Sequence, residues 1–96
     1  MAADGQDMQW QVAECLLPGM TQAIAEEFAD RIRAALARSA RRGEVAFLGS
    51  LLMPEDEVLL CLFAGPPSEV RAVSERAGLL FERILGCVGL GWRVPG

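Results

Sequence analysis

Apolar and polar residues alternate at the start of the chain: Met8, Trp10 and Val12 fall on one side, Gln9 and Gln11 on the other. A period of two marks a strand, which we place over residues 8–17. Pro18-Gly19 breaks it. The period then lengthens to four, with Ile24, Phe28, Ile32 and Leu36 in line and Ala25, Ala29 and Ala35 beside them. This predicts an amphipathic helix of about five turns. Thr21 suits its N-cap, and Glu26 and Glu27 suit its positive start. Arg38, Arg41 and Arg42 suit its negative end, and Gly43 is placed to terminate it. Glu27 with Arg31, and Asp30 with Arg33, stand at ion-pair spacing.

Residues 45–53, rich in Val, Phe and Leu, predict a second strand. Pro54-Glu55-Asp56-Glu57 is a polar turn, and residues 58–64 are a third strand, apolar at every position. So short a connection predicts an antiparallel hairpin. Gly65-Pro66-Pro67 stops it. Ser68 is then placed to cap a second helix, with Val70, Val73 and Ala77 as its inner stripe and Gly78 as its terminator. Residues 81–90 read as a last strand, weakened by Gly86 and Gly89, with Gly91 just after it. Residues 1–7 are small and polar and are expected to form a disordered tail. Residues 91–96 form a second tail carrying Trp92. The domain therefore spans 8–90.

The order β-α-β-β-α-β predicts an α+β fold, the ferredoxin-like βαββαβ sandwich. Right-handed crossovers place both helices on one face of a four-stranded antiparallel sheet. The all-apolar third strand then carries information. Val58, Leu60 and Leu62 point to one face, and Leu59, Cys61 and Phe63 to the other. One set meets the helices. The other needs a second cover, which we expect to be the same face of another copy, giving a homodimer. A tail folded over the face is the competing reading.

Composition adds exclusions. The 96 residues hold 13 acids and 9 bases, a net charge of −4, and every base is Arg. There is no Lys, His or Tyr. No His base and no His-ligated metal can form on the chain itself. We therefore expect no cofactor and no metal. A pI near 4.7 argues against nucleic acid as a partner. The apolar fraction of 52 % is high for a chain of this length and points to an interface or a ligand cavity. The longest apolar run, residues 58–65, is far shorter than the ~18 residues of a membrane span, so no membrane partner is expected. Three Cys without CxxC spacing give no disulfide framework. With no secretory pattern in residues 1–7, this predicts a cytoplasmic protein with reduced thiols.

Three segments resemble a known family. Val12-Ala13-Glu14 followed by Pro18-Gly19 looks like its first strand and turn. Leu60-Cys61-Leu62-Phe63-Ala64-Gly65-Pro66 is similar to its strand of apolar-Cys-apolar-aromatic pattern. Arg76-Ala77-Gly78-Leu79, with Glu82-Arg83-Ile84, is similar to the end of its second helix. The family is a group of small bacterial ferredoxin-like proteins of unknown function, some described as nickel-binding. The resemblance implies the fold and a homodimer. The His that members often carry in the second helix is Val73 here, and the Pro after the Leu is Leu80, so an imidazole site does not carry over.

Candidate chemistry is sparse. Glu14, in an apolar strand, is a candidate acid or base; the competing reading pairs it with Arg76 or Arg83, or lets it reach solvent. Those three residues are the catalytic candidates. Cys15, Cys61 and Cys87 form a soft-metal set if they converge, and are small core residues otherwise. Glu55, Asp56 and Glu57 read as a solvated turn before a cation site, and Arg38, Arg41 and Arg42 as helix-end charges before an anion site. Trp10, Glu14, Phe47, Cys61 and Phe63 are the candidate lining of a pocket for an apolar small molecule, with Trp92 a further candidate; core packing is the alternative. Three functions follow in order: a homodimeric binding or accessory module; a small dimeric α+β-barrel enzyme of cyclase or cofactor-free oxygenase type; and a metal-binding protein.

Overall fold

The computed structural model describes residues 8–39 and 44–91. The expectations for residues 1–7, Arg41, Arg42, Gly43 and Trp92 lie outside them. Six elements follow in the expected order: β1 (Met8–Leu16), α1 (Gln22–Ala37), β2 (Ala46–Met53), β3 (Val58–Ala64), α2 (Pro67–Ala77) and β4 (Arg83–Gly89). The strands form one antiparallel sheet in the order β2-β3-β1-β4. Both helices cover one face of it. This is the ferredoxin-like α+β fold. No helix among the described residues is long and apolar enough to cross a membrane.

Alternation assigns the core. Ala13 pairs with Cys61 and Cys15 with Leu59, so these side chains share the helix-covered face. With Phe63 they meet Ile32 and Ala35 of α1 and Val70 and Val73 of α2. Leu59, Cys61, Phe63, Ile32 and Val70 are fully buried. Within the line of four large residues on α1, Ile32 alone is fully buried. Ile24, Phe28 and Leu36 pack at the rim, while Ala25 and Ala35 bring the helix close to the sheet.

The helix ends depart in part from the sequence reading. Thr21 does cap α1, its Oγ accepting from Ile24 N–H at 3.2 Å. The helix stops at Ala37, well before Gly43, and closes through the Ser39 N–H to Leu36 C=O bond of 3.1 Å. Leu36 is the last residue of α1 that reaches the core, so further turns have nothing apolar to bury. Ser68 does not cap α2. The helix starts on Pro67, whose fixed φ suits the first helical position, with Pro66 before it. Gly78 ends α2 in the left-handed region at φ 73°, and Leu79 N–H closes the turn on Ser74 C=O. Arg31 reinforces that end from α1, its Nε donating to Ala77 C=O and its Nη2 to Gly78 C=O, each at 3.1 Å.

β4 begins at Arg83, not at residue 81. Leu79 and Phe81 pack against the core from the α2–β4 connection, and Glu82 N–H donates to Glu14 C=O at 2.7 Å. Gly89 has a packing reason: a Cβ there would stand 2.8 Å from the Trp10 ring.

Candidate functional site

The uncovered sheet face is built from the residues left over by the core. Register gives its rows. Leu51, Leu60, Glu14 and Arg83 lie side by side, and Leu62, Val12 and Leu85 lie in the next row beside Gly49. Trp10 shares its row with Ala64 and Cys87, and lies over the diagonal Gly89. At the other end Leu16 pairs with Val58, which pairs with Met53. Several of these apolar side chains face water: Leu51 is 55 % exposed, Leu16 47 % and Leu85 43 %. Strand β3, apolar at every position, therefore serves two layers, with its odd positions in the core and its even positions on this face.

One ion pair interrupts the apolar surface. Arg83 Nε donates to Glu14 Oε1 at 2.9 Å. The hydrogen bond, and then the carboxylate charge, raise the Arg83 pKa. The Glu14 side chain is 19 % exposed and that of Arg83 61 %. Of the two proposed partners of Glu14, Arg83 is the one in contact. Arg76 sits exposed in the last turn of α2, on the opposite side of the sheet.

The other candidates separate. Trp10 and Glu14 lie on the open face, whereas Phe47, Cys61 and Phe63 lie on the helix side, with the Phe47 and Phe63 rings 5.4 Å apart. The five residues do not surround one pocket. Cys15 and Cys61 are buried on the helix side and Cys87 is on the open face, so the three thiols do not converge. Burial pushes the Cys61 thiol up to about 11, against the lowering effect of its Ser50 hydrogen bond. Burial, and then the nearby Glu82, also raise Cys15. Thiols held protonated are poor metal ligands. Val73 is 1 % exposed within the apolar core. These residues do not fit a nickel ion.

Glu57 has a role that the sequence did not disclose. Its Oε2 accepts from Gly19 N–H at 3.0 Å and its C=O accepts from Leu17 N–H at 3.3 Å. The acidic turn thus ties the hairpin to the break after β1, while Glu55 and Asp56 remain exposed. Arg33 is a second such residue, with its guanidinium 5.3 Å from the Phe47 ring centre. Both contacts link distant segments and have no local spacing to reveal them. Arg33 and Phe47 line an open cleft of about 210 Å³ between α1 and β2. Ligand pockets run from roughly 300 Å³ upward.

No protein-family model matches the chain, and no curated protein matches it. Among solved structures it is similar to SCO4226 from Streptomyces coelicolor A3(2), with a TM-score of 0.66 and 23 % identity. The match covers 79 % of this chain and 91 % of that one. At this identity the likeness establishes the fold.

Proposed function

We propose that the chain acts as a homodimeric binding or accessory module, joined through the open sheet face, and kin to the small bacterial ferredoxin-like family that its sequence resembles. The observation that carries this reading is the face itself: an apolar sheet surface whose one acid and one base among the described residues, Glu14 and Arg83, neutralise each other. A large apolar patch on a small chain marks an interaction site. The partner must be apolar and uncharged where it meets this one, and an identical copy is both. Two sheets stacked about 10 Å apart bury both faces at once. The setting we assign is the cytoplasm, in keeping with free thiols in the core. Light scattering tests the assembly. Leu85→Glu adds a charge to the face at an exposed position on an edge strand, and is expected to separate the copies without unfolding either.

A second reading, a small α+β-barrel enzyme, is favoured by the Glu14–Arg83 pair on the open face, whose carboxylate is largely covered. Facing sheets would enclose this acid and base with Trp10 and Leu85, as a site for an apolar small molecule. Native mass spectrometry of the purified assembly discriminates: a retained small molecule supports this reading, and a bare assembly counts against it.

A further inference from the structure

The sheet is also unpartnered along one edge. β2 is an outer strand, so one row of its N–H and C=O groups has no strand beside it among the described residues. Proteins usually guard such a row with Lys, with Pro or with a covering segment. The sequence of β2, AFLGSLLM, contains neither a charge nor a proline. A register shift between Phe47 and Gly49 bends its first half and leaves Ser50 to Met53 in regular pairing. The opposite edge differs, because β4 opens on Arg83, which is held by Glu14.

Helix α1 runs above the β2 edge. β1 and β2 are both antiparallel to β3, so α1, which connects them, returns antiparallel to β2. Its late residue Arg33 accordingly lies over Phe47, early in β2. Glu26, Ala29 and Arg33 all line the cleft along this edge. Glu26 and Arg33 stand two turns apart, about 10 Å at 1.5 Å per residue, and Ala29 lies between them.

We infer that β2 pairs antiparallel with β2 of a second copy, about a two-fold axis near Ser50. That axis brings Ala29 towards its own counterpart, where a small side chain permits close approach. It sets Glu26 of each copy opposite Arg33 of the other. An isologous contact needs this kind of self-complementarity, with acid and base symmetric about the axis. A foreign strand has no need of it. The backbone ladder supplies attraction and the two charge pairs fix the register.

This contact is independent of the face contact, and the two together make a four-chain assembly. Sedimentation velocity on the full chain tests it. Glu26→Arg sets like charges against each other and is expected to halve the mass; Arg33→Glu does the same. Combining E26R with R33E restores the mass. Leu85→Glu halves it by the separate route, and Leu85→Glu with Glu26→Arg leaves single chains. All these side chains are exposed or half-exposed, and circular dichroism checks that each variant is folded. An unchanged mass in both charge variants overturns the edge pairing whether or not the face pairs. So does a double charge variant that fails to recover.

Discussion

Cys61 shows how position decides chemistry at a single residue. It stands in an apolar strand, faces the helices and is fully buried, so its thiol ionises only near pH 11. In the unfolded chain it ionises near 9.0. The chain has no His, Lys or Tyr, so thiols are the side chains that titrate in this window. Between these values the native state holds a proton that the unfolded state has lost. Stability is therefore full below pH 9 and falls as pH rises towards 11. A separation of about two pH units corresponds to about 3 kcal/mol, with Cys15 acting in the same direction. Urea unfolding from pH 7 to 11 measures the slope, and Cys61→Ala should reduce it to the part that Cys15 carries; a wild-type stability constant over that range refutes the assignment. Gly65 makes a sharper demand. It sits at φ 135°, and a Cβ there would stand 2.6 Å from Glu44 C=O. Gly65→Ala should cost about 2 kcal/mol or more, read from the urea midpoint.

At the scale of elements, local pattern specifies most of the secondary structure. Alternation marks β1, the four-residue period with Thr21 marks α1, and the unbroken apolar run marks β3, whose odd positions fill the core and whose even positions lie on the open face. Most of the misplacements lie where distant residues decide. Ser68 is the exception: its neighbour Pro67 takes the first helical position, which leaves Ser68 inside the first turn and not at the cap. α1 ends where its last core contact ends, which no residue near Gly43 announces. Glu14 finds Arg83 because β1 and β4 are neighbours, while Arg76 falls on the far side of the sheet; spacing in the chain says nothing about this. The candidate pocket came apart for the same reason, since its five residues belong to opposite faces. Arg31 is a further case. Its spacing suggests a pair with Glu27, but its guanidinium holds the C-terminus of α2. Removing those bonds with Arg31→Met should cost about 1–2 kcal/mol in chemical denaturation, against a few tenths for Glu27→Gln. Equal effects would return Arg31 to a surface role.

At the scale of the molecule, one sheet carries two apolar surfaces and a helix layer for one of them. Part of the apolar surplus lies on the open face, at Trp10, Val12 and Leu16 of β1, the even positions of β3, and Leu51 and Leu85 beside them. Val73 extends the core beneath α2. The open face is the surface on which we propose that a second copy sits. Multi-angle light scattering on the wild type and on Leu85→Glu tests it most directly. The wild type is expected at a mass of at least twice the 10.4 kDa chain, halved in the folded variant. A wild type at the mass of one chain, or an assembly that Leu85→Glu leaves intact, would contradict it.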